Sequence, residues 1–118
     1  MSGKKSRRLG HGYERQIRLE MIELGYEDCE TSRYESKKLD DAKVDLTHTK
    51  PFNVQCKAYQ NQPNFRSVLS EMPDDSNYNT VFMKKNVGVG KKRPEDIVVM
   101  WKKDFYELIT MLKSEGII

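Results

Sequence analysis

The sequence has 118 residues, 36% of them hydrophobic and 33% charged, with 21 Lys and Arg against 18 Asp and Glu for a formal net charge of +3. That length suits one hydrophobic core and is short for two, and no apolar run approaches the roughly 18 residues that a membrane-spanning helix needs. Two cysteines, Cys29 and Cys56, lie far from any C-x-x-C spacing, so neither a disulfide scaffold nor a structural zinc site is expected.

The charge is segregated. Lys4, Lys5, Arg7 and Arg8, together with Lys84, Lys85, Lys91, Lys92 and Arg93, form two basic clusters free of acids, whereas residues 20–45 are rich in Glu and Asp. Clustered cations are the footprint of a surface that meets phosphates, although a basic cluster also serves as ordinary solvated surface. No apolar stretch follows the N-terminal cluster, so a secretory signal is not expected and a cytoplasmic setting is.

Residues 1–10 lack apolar periodicity and read as a flexible basic arm ahead of a single domain over 11–118. Tyr13, Ile17, Met21 and Leu24 recur at helical spacing, and Gly25 supplies a stop. Residues 26–34 suggest an edge strand and 35–41 a loop. Val44 and Leu46 alternate with Asp45 and Thr47, and Phe52, Val54, Cys56 and Ala58 with Gln55, Lys57 and Tyr59, which predicts two half-buried strands. A turn at Lys50-Pro51 joins them as a hairpin. A three-residue loop or a bulge there sets Asp45 opposite Gln55 or Lys57.

Asn64 is positioned to cap a second helix bearing Phe65, Val68, Leu69 and Met72, which Pro73 ends. A fourth strand over 80–84 and a fifth over 96–101 follow. The fifth carries Ile97, Val98, Val99 and Met100 without alternation, which predicts a place inside the sheet. Phe105, Leu108, Ile109 and Leu112 mark a closing amphipathic helix whose stripe packs as core. The order helix, three strands, helix, two strands, helix (αβββαββα) predicts an α/β domain with a mixed central β-sheet flanked by helices.

The hairpin brings together residues with a common chemistry. Asp45 and Gln55 offer oxygen donors, which suit a hard cation such as Mg²⁺, and such a cation polarises a phosphoryl oxygen and acidifies a bound water. Lys57, two residues beyond Gln55, projects from the same strand face, where an ammonium can orient the attacking water or offset charge on the phosphate. Cys56 between them points into the core. Glu14, beside the apolar Tyr13 and Ile17, sits at the border of its helix face and supplies a third donor.

The stretch Gly12-Tyr13-Glu14-Arg15, the helix ending at Gly25, Arg33 with Ser36, and Asp45 followed by Gln55-Cys56-Lys57 resemble the archaeal-type Holliday-junction resolvases, a branch of the PD-(D/E)XK nucleases, over roughly residues 10 to 112. The resemblance implies a restriction-endonuclease-like fold and a metal-dependent endonuclease acting on branched DNA, usually as a homodimer; the small size and basic arm suit a phage or mobile-element recombination protein. It assigns catalysis to Glu14, Asp45, Gln55 and Lys57. The ligands of Mg²⁺ or Mn²⁺ would be Glu14, Asp45, Gln55 and the backbone carbonyl of Cys56. DNA contacts would fall to Lys4, Lys5, Arg7, Arg8, Arg15, Arg33, Ser36 and the cluster of Lys84, Lys85, Lys91, Lys92 and Arg93. Gln55 departs from the pattern, because most members carry an acid there. An amide oxygen ligates without formal charge, so weaker metal binding is expected.

Plainer readings stand beside these. A lone Asp-x9-Gln-x-Lys match recurs by chance, and His11 and His48 fit surface or capping roles. The basic cluster around Asn86-Val87-Gly88-Val89-Gly90 also reads as a solubilising turn. A non-catalytic DNA-binding module on the same scaffold, or a nuclease acting on linear duplex or ends, is the alternative function.

Overall fold

A computed structural model describes the backbone of residues 3–118 and the side chains from Arg8 onward. The elements in chain order are α1 (Gly3–Glu23), β1 (Glu30–Thr31), α2 (Ser32–Glu35), α3 (Lys37–Asp41), β2 (Leu46–Thr47), β3 (Phe52–Tyr59), α4 (Phe65–Ser70), β4 (Tyr78–Lys85), β5 (Ile97–Met100) and α5 (Lys102–Ser114). The fold is α/β, built on a mixed three-stranded sheet in the order β3-β4-β5 with a separate two-stranded pair, β1-β2. β3 runs parallel to β4 from Phe52↔Tyr78 to Tyr59↔Lys85, and β5 returns antiparallel to β4. The crossover from β3 to its parallel neighbour is made by α4, as a parallel pair requires.

Periodicity explains how the layers close. Tyr13, Ile17 and Met21 on α1 pack with Val54 and Cys56 on one face of β3, joined by Cys29 and Leu46. Val68, Leu69 and Met72 from α4 and its C-terminal turn pack with Val81 and Met83 on the opposite face, joined by Val44. Gly25 at φ 112 ends the α1 turn in a conformation that other residues resist. Asn64 caps α4, its side chain accepting from the Ser67 N–H at 3.0 Å.

Several local expectations give way. α1 begins at Gly3, so the expected arm is largely helical in its backbone; Lys, Arg, Ser and Leu there oppose no helix. The side chains of Lys4, Lys5 and Arg7 lie outside the described residues. The expected strand over 26–34 shrinks to two residues before α2, and the expected loop over 35–41 holds α3, for which Ser36 accepts from the Leu39 N–H. β2 forms its ladder with β1, not as a hairpin with β3. Asp45, just before β2, bonds to β3, its N–H donating to the Val54 carbonyl at 2.7 Å, and Leu46 packs with Val54 and Cys56.

The larger corrections fall at the C-terminal end. β5 is an edge strand rather than an interior one, and Ile97 and Val98 are exposed. Continuous apolar character signals burial on both faces only when both faces are covered, and α1 lies mainly over β3. α5 is helical as its spacing predicts, yet it contains no buried residue, and Phe105 remains 48% exposed. Its stripe is therefore not core within one chain.

Candidate active site

The site forms where α1, β2 and β3 meet. The Asp45 N–H donates to the Val54 carbonyl, and the Cys56 N–H donates to Asp45 Oδ2 at 2.7 Å. Asp45 is thereby fixed beside Gln55, between the two flanking residues of β3. In a strand, a residue's N–H and C=O leave by the same edge, so the Cys56 carbonyl also points toward the Asp45 side. Alternation sends the Cys56 thiol into the α1-facing core, where burial pushes its pKa up.

Gln55 and Lys57 share the other face of β3. Gln55 is 4% exposed, and its Oε1 is buried with no hydrogen-bond partner among the described residues. A buried amide oxygen left unmatched costs roughly 1–3 kcal/mol. Glu14, 8% exposed on α1, receives a bond from Arg33 Nε to Oε2 at 2.8 Å. Burial pushes Asp45 up to about 6; the negative charges of Glu14 and Asp40 add to the shift, while the Cys56 amide and the Lys57 ammonium oppose it. Glu14 and Lys57 thus each lie within electrostatic reach of Asp45.

The donors gathered around β3 are of the oxygen type that hard cations accept: two carboxylates, an unmatched amide oxygen and a backbone carbonyl. The set is lean in charge. Among the described residues no three His, Cys, Asp or Glu side chains are grouped so as to hold a metal ion.

The expected DNA-contacting residues disperse. Arg33 is engaged with Glu14, and Ser36 caps α3. Arg8 and Arg15 are exposed on α1. Lys84 lies over the Tyr13 ring at 5.8 Å, while Lys85, Lys91 and Lys92 are exposed on and after β4. Arg93 pairs with Asp96, which also accepts from the Tyr13 hydroxyl at 3.1 Å. That pair of contacts ties the basic β4–β5 connection to α1 one residue from Glu14.

Neither family models, curated proteins nor solved structures yield a match. The assignment of chemistry therefore rests on the residues themselves.

Two features escaped the sequence reading. Ser32 is fully buried, its N–H donates to the Asp45 carbonyl at 2.8 Å, and its Oγ has no partner among the described residues. Glu35 accepts from Thr47 Oγ1 at 2.6 Å and pairs with His48 Nε2 at 2.8 Å, clamping α2 to the turn after β2. His48 holds a φ of 57, in the left-handed region that is uncommon for residues other than glycine. Residues 35 and 48 are too far apart in sequence for spacing to signal the contact. Beside this clamp opens a cleft of about 490 Å³, bordered by Ser36, Leu39, Thr47, His48 and Lys50 among others.

Proposed function

We propose that this chain is a divalent-metal-dependent endodeoxyribonuclease with branched DNA, such as a four-way junction, as its favoured substrate. The observation that carries the reading is the unmatched, buried Gln55 Oε1 on the same strand face as Lys57, beside a carboxylate of raised pKa and within reach of Glu14. Mg²⁺ or Mn²⁺, when bound, would supply Lewis-acid polarisation of the phosphoryl oxygen and a more acidic water. Asp45, Gln55 and the Cys56 carbonyl would hold it, with Glu14 joining once Arg33 turns to a phosphate.

The protein residues divide the remaining work. Lys57 offsets charge building on the phosphate and orients the attacking water. Arg33 exchanges a carboxylate for the DNA backbone, and the β4–β5 cations hold the flanking duplex by phosphate contacts that read no sequence. Branched DNA is favoured on the resemblance of Glu14, Asp45 and Gln55-Cys56-Lys57 to the junction-resolvase pattern, which also implies a homodimer.

A second reading, DNA binding without cleavage, is favoured by the Arg33–Glu14 pair, which leaves Asp45, of these two site carboxylates, as the one without an ion-pair partner among the described residues. Labelled four-way junction and matched linear duplex, incubated in Mg²⁺, Mn²⁺ or EDTA with wild type, Asp45→Ala and Lys57→Ala, separate the two. Paired nicks on the junction, lost in EDTA and in both variants, support the resolvase. Junction binding without cutting supports the binding module, and cutting of both substrates a general nuclease.

A further inference from the structure

Between α4 and the end of β5 lies a cleft of about 540 Å³, within the size range of small-ligand sites. Phe65 and Leu69 from α4, Val99 from β5 and Trp101 give it apolar walls, and its charged borders are the cations Arg66 and Lys102. No acid borders it; Asp74, Asp75 and Asp104 line a neighbouring hollow that shares Leu69 and Trp101. Lys102 lies over the Tyr106 ring at 5.7 Å, and neither Arg66 nor Lys102 pairs with a carboxylate among the described residues.

Trp101 is the only tryptophan of the chain, and it stands at the N-cap of α5 without a side-chain cap bond. Ser, Thr, Asp or Asn stabilises such a position by about 1 kcal/mol over residues that cannot cap, so helix stability does not account for the indole. Phe65 and Trp101 pack against the core around Val81 and Met83 yet are only half-buried. Aromatic surface is therefore left on the cleft beside the two cations.

Aromatic walls with unpaired cations are complementary to a flat base that carries a phosphate: the base stacks on a ring, and the phosphate meets a guanidinium or an ammonium. The sheet register relates the cleft to the candidate active site. Gln55 pairs with Val81, and Val81 with Val99. One row thus crosses the sheet from Gln55 to the cleft, with α4 packed over its middle at Val81. Two strand spacings are roughly 10 Å, about three nucleotide steps of a stacked strand.

We propose that the cleft between Phe65 and Trp101 holds an unpaired nucleotide of a DNA strand, its base stacked on Trp101 and its phosphate on Arg66 and Lys102. The choice of a strand over a free nucleotide rests on the nuclease reading; the stacking surface and the charge match stand without it. On that reading the preferred branched DNA carries unpaired nucleotides close to the cleaved bond.

Because Trp101 is the sole indole, its fluorescence reports this cleft alone. In EDTA, an oligothymidylate of about eight nucleotides should quench it saturably, whereas thymidine monophosphate needs at least about tenfold higher concentration. A blunt duplex, even when bound, should leave it nearly unchanged. The affinity for a labelled oligothymidylate, read by anisotropy, should fall roughly tenfold or more in Trp101→Leu, Arg66→Glu and Lys102→Glu. It should recover in Trp101→Phe and hold in Lys113→Glu near the other end of α5, with unchanged far-UV circular dichroism throughout. Recovery in Trp101→Phe separates a lost ring from a damaged fold. The proposal is overturned by an oligothymidylate that does not quench, by a duplex or monophosphate that quenches at the same concentration, or by an affinity that Trp101→Leu or both charge reversals leave unmoved. Cleavage enters none of these readings, so a protein that stacks DNA without cutting it, or cuts without stacking, is recognised as such.

Discussion

Arg33 Nε donates to Glu14 Oε2 at 2.8 Å, so a cation from α2 occupies one oxygen of the acid that α1 brings to the site. Glu14 is nearly buried, and removing its partner leaves a charge in a poorly solvated place. Arg33→Ala is expected to destabilise the metal-free protein by roughly 1–3 kcal/mol. If Glu14 is a ligand, Mn²⁺ should restore part of that loss, and denaturant melts with and without Mn²⁺ read both quantities. Equal loss in both conditions would remove Glu14 from the ligand set.

Asp45 makes a prediction about pH. Its folded pKa, about 6, lies above its ordinary value of 3.8 because of burial. The sign follows from linkage: the folded state holds the proton more tightly, so this contribution to stability is complete below about pH 4 and is lost as pH rises through about 6. Asp45→Asn, which keeps the acceptor for the Cys56 N–H, should therefore be more stable than wild type at pH 7 by on the order of 2–3 kcal/mol. The gain should vanish near pH 4. A wild type at least as stable as the variant at pH 7, without metal, would contradict it.

Gln55 separates function from packing. Replacing it with Met removes the unmatched oxygen at similar volume and should stabilise the metal-free protein by about 1–2 kcal/mol. Gln55→Glu places a third acid near Glu14 and Asp45, which should lower stability without metal and enlarge the thermal shift produced by Mg²⁺ or Mn²⁺. Should Gln55→Glu show no larger metal shift while Gln55→Met destabilises, the side chain is structural.

The Glu35–His48 clamp titrates in a region that NMR can follow. The hydrogen bond to Glu35, aided by its charge, raises the His48 pKa above its ordinary 6.5, and bonds from Thr47 and His48 lower Glu35 below 4.5. The charged pair is thus intact between those ordinary values. It is lost as pH rises through the His48 pKa or falls through that of Glu35. The His48 imidazole shift should move with a midpoint above 6.5 in wild type, and the midpoint should fall back in Glu35→Gln. An unchanged midpoint would mean that the clamp does not persist in solution.

How far the sequence speaks depends on whether a signal is local. Helical spacing from Tyr13 to Met21, the stop at Gly25, the Asn64 cap and the alternation through Phe52, Val54 and Cys56 are properties of short windows, and each element is found there, although α1 starts earlier, at Gly3, and Leu24 lies exposed past its end. The same alternation, without any contact information, set Gln55 and Lys57 on one strand face with the Cys56 thiol on the other. Tertiary structure alone decided the rest. β2 is too short to hold a hairpin and pairs with β1, Arg33 closes on Glu14 across 19 residues, and Glu35 reaches His48 across 13. The apolar run 97–100 and the stripe of α5 look the same whether they lie inside a core or on an open side. Hydrophobic pattern records apolar character, and only the packing of the whole chain shows that these two segments are not buried by it.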